Sequence, residues 1–463
     1  MSPTILTEIK NPKGKIFRRL YIKRRLASTG LFETSWQNIT KDVKSWGRIS
    51  KSIDYVRYSQ VRFNDVNLMM ANDYGKYNPE DAEGSFWYGY ASQQRTLVKI
   101  EAGFTHQTLG SDGVWTNTEF PSVPSVFLGV IQGDLALSEE NQVQLSVKPL
   151  LQVFRDFSTR NLTGYTTTGM TASQFITMLR DQTDGSSNYI FRPFFGDTSS
   201  NWNFTSSGLT YIDVADTVGS RRPVPAYVTA PPQNDFIEMN VWDALQKLAE
   251  AENLVPYVTR DGVFTFSNRN PNTTTAAYQF FGRGFNDYTY GQTIKRINRY
   301  TKKISDYYSR VELKWLDSGT TTAVVTTQTA MAVTGSNTAW LYGHRTFHLE
   351  NFWIGTLTTA QSLANSIFQN ISTINNEIDF TTSFVPHLEL LDRVQVSYES
   401  TERALNSRWD VNDWAADDTN TSSDLYWANP IGDAIRFAAK EFKIVSIELN
   451  LDNLESRFVG IAL

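Results

Sequence analysis

The chain has 463 residues, 40% of them hydrophobic and 13% aromatic, enough for two to four domains with cores of their own. It contains no Cys, which removes disulfides, thiol catalysis and Cys-ligated metal sites together. No stretch nears the ~18 apolar residues of a membrane span, and no apolar segment of signal-peptide type opens the sequence. Net charge is −5 but unevenly spread: residues 1–62 hold 14 Lys and Arg against 4 Asp and Glu, and the remainder holds 29 against 44. That is +10 followed by −15.

The basic excess centres on "KGKIFRRLYIKRRL", which includes Arg18, Arg19, Lys23, Arg24 and Arg25. Such a run suits phosphate contact. It equally suits an extended arm laid on acidic surface of a neighbouring subunit. The interspersed Ile16, Phe17, Leu20, Tyr21 and Ile22 favour the second reading, as in a docked strand. Residues 1–33 are therefore read as a basic N-terminal arm.

From Thr34 the signals are mostly strands. "RTLVKIEAGF" and "SVFLGVIQGDLAL" are short β runs bounded by Gly and Pro. "EENQVQLSVKPLL" alternates with Val143, Leu145 and Val147 on one face. "NDYGKYNPEDAEGS" has turn chemistry. This β-rich block ends near 152.

The block 153–300 mixes helix and strand. "MTASQFITMLRDQ" places Ala172, Phe175, Ile176 and Leu179 on one helical face. A polar, Pro-containing stretch, 196–236, follows. Then "NVWDALQKLAEAENLVPYVTRDGVFTF" holds a complete unit. Asn240 caps a helix whose face is Val241, Leu245, Leu248 and Ala249. Strands 255–259 and 263–266 follow, joined by Asp261-Gly262, a dipeptide suited to the positive φ of a tight turn.

The block 301–463 returns to strands. "YYSRVELKWLD" alternates Val311, Leu313 and Trp315. "TTAQSLANSIFQNISTIN" predicts a helix over 359–373, capped by Thr359, with Ala360, Leu363, Ala364, Ile367 and Ile371 on one face. "IDFTTSF" and "LELLDRVQVSY" are strands, and "FKIVSIELNLDNLESRFVGIAL" is a terminal hairpin with Ile447, Leu449 and Leu451 on one face. Between them lies a polar loop, 399–440, with Asp410, Asp413, Asp417, Asp418 and Asp424 beside Trp409, Trp414, Tyr426 and Trp427. Its spacing fits no EF-hand. A surface that contacts a partner through Trp409, Trp414 and Trp427 fits better.

Candidate chemistry is sparse. His344 and His348 are four apart, but on a strand-like stretch that does not bring them together as metal ligands. His106 and His387 stand alone. The acid pair Glu399/Glu402 and the acid triplet Glu80/Asp81/Glu83 sit in polar loops, where neighbouring carboxylates are solvated. "FGRGFND" lacks the Lys-Ser/Thr of a phosphate loop, and no Gly-x-Ser-x-Gly occurs. The Asn-x-Ser/Thr triplets at Asn38, Asn161 and Asn203 read as polar strand and loop residues. No cofactor, no metal and no catalytic residue is expected. A β-rich, aromatic chain of this kind also fits a non-catalytic carbohydrate-binding protein that recognises a receptor or capsule.

Five stretches, in order, resemble the baseplate-hub and tail-tip proteins of tailed bacteriophages. "WQNITKDVKSWGRIS" looks like the opening strand of the first hub barrel, and "NDYGKYNPE" like its strand-end turn. "VFLGVIQGDLALSEENQVQLSVKPLLQVF" is similar to its central hairpin. "VWDALQKLAEAENLVPYVTRDGVFTF" resembles the inserted helix–hairpin, and the run from "TTAQSLANSIF" to "FKIVSIELNL" the second barrel. The resemblance spans 34–463. It implies a mainly β fold with an α+β insertion: a first tube β-barrel at 34–152, a peripheral α/β domain at 153–300 and a second tube β-barrel at 301–463.

It further implies a homotrimer at the virion tail tip, assembled in the host cytoplasm. The trimer closes the tail tube, adapts sixfold tube to threefold tip and forms the channel for DNA ejection. Implied partners are distal tail or tube-ring proteins, a central fibre or receptor-binding protein, and the tape-measure protein. DNA passes through without specific binding. Because the barrel blocks lie in the part balanced at −15, the channel wall is expected to be neutral to acidic and the basic run to be kept out of it, between subunits.

Overall fold

A computed structural model describes residues 15–463 except 55–59, 79–84, 91–94, 110–113, 121–123, 134, 139–140, 163–169, 185–186, 196–201, 204–222, 225–238, 252–253, 269–275, 283–292, 318–320, 329–342, 352–353, 355–356 and 400–435. The fold is mainly β. Two large sheets dominate, one of nine strands and one of eight.

In the nine-stranded sheet the order is Gln37–Asn38, Lys15–Lys23, Leu97–Leu109, Ser125–Ile131, Gln142–Pro149, Val66–Ala71 and Val43–Ser45. Ala136–Ser138 adds to Gln142–Pro149, and Trp115–Phe120 adds to Leu97–Leu109. Alternation drives it. Val143, Leu145 and Val147 are buried on one face, as their period of two predicts.

The eight-stranded sheet runs Tyr278–Phe281, Arg393–Glu399, Arg436–Asn450, Glu455–Ala462, Asn376–Ser383 and Ile294–Lys302. Arg48–Ile53 pairs with the far half of Arg436–Asn450, and Val61–Phe63 pairs with Arg48–Ile53. Sheet membership thus crosses the expected block boundaries. Two strands from the 34–152 block and two from the 153–300 block build the second sheet. Strand pairing is set by which faces must be buried together, and nearness along the chain does not decide it.

Among the described residues three helices exceed two turns: α1 (Ala172–Arg180), α2 (Val241–Ala251) and α3 (Leu357–Ile371). In α2 the Asn240 cap forms as expected, with Asp243 N–H donating to Asn240 Oδ1 at 2.8 Å. In α3 all five residues of the predicted face are buried. The helix does not belong to the eight-stranded sheet, however. It packs on Arg310–Asp317 and Thr321–Gln328 of a separate three-stranded sheet completed by Thr346–Glu350. Trp315 and Val311 offer it an apolar face there.

The apolar side chains form two cores. One is continuous between the two large sheets, from Leu20 and Ile100 through Phe384 to Ile447 and Phe458. Phe104 of the first sheet meets Phe384 beside the second with ring centroids 6.4 Å apart. The other core is peripheral. It gathers α1, α2, α3 and the smaller sheets around Phe154, Trp242 and Trp315.

Candidate functional site

Two places gather the polar residues that bear on function: the basic strand Lys15–Lys23 and a joint at the tip of the hairpin after α2.

Over residues 15–23 the basic run pairs within its own chain. It is a strand of the chain's own sheet, antiparallel to Leu97–Leu109 through nine paired residues. The reason is in the alternation. Leu20 and Ile22 face the core with no exposure, and each such burial contributes about 1.5–3 kcal/mol. The charges are then satisfied within the chain. Arg18 donates to the Leu451 carbonyl and lies 5.5 Å from the Trp46 ring. Arg19 forks onto Glu119, one bond at 3.0 Å, with Glu101 3.8 Å away. Lys23 stands 5.9 Å from the Trp36 ring.

Arg24 is well enclosed, its side chain 12% exposed. It pairs with Glu33 at 3.2 Å, donates to the Phe86 carbonyl and to Tyr90 Oη, and lies 3.7 Å from the Tyr90 ring. Those contacts hold the Glu33 carboxyl below the usual range despite its burial. Arg25 donates to the Gly30 carbonyl at 2.9 Å. Trp409, Trp414 and Trp427 lie outside the described residues.

The joint answers what the helix–hairpin unit does. Strands Leu254–Val258 and Phe264–Asn268 pair as a hairpin, within two residues of the expected bounds. Gly262 takes φ +84°, and a Cβ there would sit 2.4 Å from Leu128 Cδ2. The positive φ is what calls for glycine at this tip, which packs against Leu128 of the first sheet. The tip then touches both large sheets. Ser125 Oγ of the nine-stranded sheet donates to the Arg260 carbonyl at 2.7 Å. Arg260 N–H donates to Glu389 Oε1 at 3.3 Å, and its guanidinium reaches the Pro386 carbonyl. Lys51, on the core face of Arg48–Ile53, closes an ion pair on the other Glu389 oxygen. Glu389 N–H donates to Asp392 Oδ2 at 2.7 Å.

Burial pushes the Asp392 carboxyl up to about 6. Burial, with Arg260 nearby, holds the His387 imidazole down at about 4. His387 packs edge-on to Tyr278 at 5.2 Å, and burial raises that phenol. Titratable groups are therefore concentrated here, but a reaction needs room. The adjoining cavity is about 20 Å³, lined by Lys51, Phe63, Phe127, Leu128, Leu151 and Arg260. That holds one water and no substrate. The joint is a strut that fixes the peripheral unit to both sheets.

Among the other candidates, His348 lies in the strand Thr346–Glu350 with Nδ1 3.1 Å from Glu312. Among the described residues no cluster of three or more His, Asp or Glu could hold a metal. His106 falls in the strand Leu97–Leu109. Glu80, Asp81, Glu83 and Glu402 lie outside the described residues, and Glu399 ends a strand. No helix among the described residues is long and apolar enough to cross a membrane. Nothing local in the sequence marks the joint, since Lys51, Arg260 and Glu389 lie on separate segments.

The arrangement is that of a mainly β protein with two large sheets braced by a peripheral α/β unit. Solved structures similar to it include a tail protein from Neisseria meningitidis (10% identity, 96% of each chain, TM-score 0.49). A 43 kDa tail protein of a Shewanella oneidensis prophage is similar too (12% identity, 96% of this chain and 98% of that one, TM-score 0.47). So is the prophage tail protein gp18 of Listeria monocytogenes (9% identity, 96% and 94%, TM-score 0.46). No family profile matches the chain, and no curated protein matches it in sequence.

Proposed function

We propose that this chain is a structural hub of a bacteriophage tail tip or baseplate, acting as a homotrimer that closes the tail tube and forms the channel for DNA ejection. The observation that carries the proposal is the pair of large sheets in one chain, sharing one core and locked by a strut with no room for a substrate. The ordered resemblance over 34–463 supports the same reading. Three chains bring six large sheets, which suits a sixfold tube above a threefold tip. The role is mechanical: side chains hold sheets in register and no bond is made or broken.

In this reading the partners are tube-ring proteins above, a fibre or receptor-binding protein below and the end of a tape-measure protein. The acidic, Trp-rich segment 399–440 is the contact for a fibre or accessory protein through Trp409, Trp414 and Trp427. The site of action is the virion tail tip, after assembly in the host cytoplasm. Mass measurement of purified particles tests the proposal. Three copies per particle are expected, and six would overturn the trimer.

A further inference from the structure

The outward face of the eight-stranded sheet carries a pattern that the basic N-terminal strand does not. Strand register lays it out in rows. One row runs Arg62, Ser52, Ser446, Val459, Asp379, Arg299. The next runs Ser50, Glu448, Arg457, Thr381, Arg296. A third contains Arg48, Asn450, Glu455 and Ser383, with Lys295 bonded to Glu455 at 2.7 Å. Along these rows and at the adjoining Glu377 stand Arg48, Arg62, Lys295, Arg296, Arg299, Lys303 and Arg457, beside the acids Glu377, Asp379, Glu448 and Glu455.

The two signs are not equally presented. Glu377 and Asp379 are 4% exposed, roofed by Arg299, Lys303 and Arg457. Of the cations above them, Arg299 and Arg457 are exposed and Lys303 is half-buried. Arg62 and Arg296 are exposed and form no ion pair among the described residues, and Arg48 shares only an exposed pair with Glu448. Arg48 and Arg62 come from the basic first 62 residues, so the −15 balance of the remainder is not what the face shows.

We propose that this face contacts the phosphates of nucleic acid, without regard to sequence. Three features favour nucleic acid over an acidic protein. Protein interfaces centre on apolar and aromatic anchors, and none of the exposed large apolar side chains among the described residues lies in these rows. Nucleic-acid interfaces are polar and cationic, with Ser, Thr and Asn beside Arg and Lys. Here Ser50, Ser52, Ser383, Ser446 and Asn450 fill positions between the charges. The cations also stand on two borders, Arg48 and Arg62 on one side and Arg296 and Arg299 on the other. Strand spacing puts the borders about 20–24 Å apart, wider than a major groove of about 12 Å. A duplex lies between them with phosphates near both.

The buried acids set the strength. Arg299, Arg457 and Lys295 are already paired with Glu377, Asp379 and Glu455, and Arg48 shares only its exposed pair with Glu448, so three cations (Arg48, Arg62, Arg296) are left to release counterions. The contact is then loose enough for DNA to slide past. This deepens the conduit reading and rests on it. It replaces the expectation of a neutral or acidic wall with a weakly cationic, acid-backed one.

The test is fluorescence anisotropy of the purified chain with a labelled random-sequence duplex DNA. Affinity should fall with a logarithmic salt slope of about −2.7, about 40-fold between roughly 50 and 200 mM salt. The triple variant Arg48→Gln, Arg62→Gln, Arg296→Gln should bind at least tenfold more weakly with unchanged unfolding, while Lys15→Gln, Lys23→Gln should bind as the parent does. Parent-like binding by the triple variant, or no salt-dependent binding by the parent, overturns the proposal. Loss of self-association in the triple variant without DNA binding by the parent would assign the face to a second copy instead. A copy number other than three in particles would sink the trimeric hub and leave this result untouched, so the two failures are distinguishable.

Discussion

Two nine-residue strands of this chain carry four cations each: KIFRRLYIK at Lys15–Lys23 and IKRINRYTK at Ile294–Lys302. They end up in opposite circumstances. The first holds its Arg residues against Glu119, Glu101, the Leu451 carbonyl and aromatic rings. The second ends the order of its sheet and turns Lys295, Arg296, Arg299 and Lys302 to solvent. Charge density in the sequence therefore does not report charge on the surface. What separates the two is the opposite face. Leu20 and Ile22 bind the first strand into a core, whereas Ile297 and Tyr300 are only half-buried.

The largest test of this contrast is the core side of each strand. Leu20→Ala should destabilise the protein by about 2–5 kcal/mol, and Ile297→Ala by less than about 1.5, measured by denaturant unfolding. Equal costs would mean that the first strand is a detachable arm after all. Next come the charges. Arg24→Ala leaves Glu33 enclosed without its partner and should cost about 3 kcal/mol. Arg296→Gln should stay within about 0.5. An Arg24→Ala protein as stable as the parent would remove the claim that the charges of the basic run, which continues from the first strand into Arg24, are consumed within the chain.

The joint gives a pH signature. Asp392 ionises near 6 in the fold against 3.8 in the unfolded chain, so its contribution is present below about 4 and lost as pH rises through 6. His387 protonates near 4 in the fold against 6.5 unfolded, so its contribution is present above 6.5 and lost as pH falls through 4. Each is worth of order 2–3 kcal/mol, and the two oppose each other over one window. Relative to the parent, Asp392→Asn should steepen the gain in stability from pH 4 to 6.5, and His387→Gln should reverse part of it. Parallel pH profiles for all three proteins would contradict the burial of these groups. The smallest expected effect is that of deleting 405–436. Unfolding should be unchanged while attachment of a fibre or accessory protein is lost, and a chain that fails to fold would make that segment part of the core.

Much of this was legible where periodicity is clean. The five-residue face of α3, the Asn240 cap and the terminal hairpin burying Ile447, Leu449 and Leu451 all follow from local spacing. Lys15–Lys23 was legible as a strand, but its partner was not, because alternation says which face is buried and not against what. Ile294–Lys302 escaped notice for a specific reason. Two register shifts, between Ile294 and Arg296 and between Ile297 and Arg299, break its alternation. The joint was beyond reach, since Lys51 and Glu389 are 338 residues apart and meet only when both sheets are built. Trp242 was missed because α2 buries more than the single face its spacing marked.

The hub proposal is tested most directly by a reconstruction of the tail tip in intact particles. Three copies of this chain should surround the axis, with the six large sheets ringing one channel and Arg48, Arg62 and Arg296 turned toward the lumen. A tip in which the chain is peripheral, with its two large sheets away from the channel, would contradict the account.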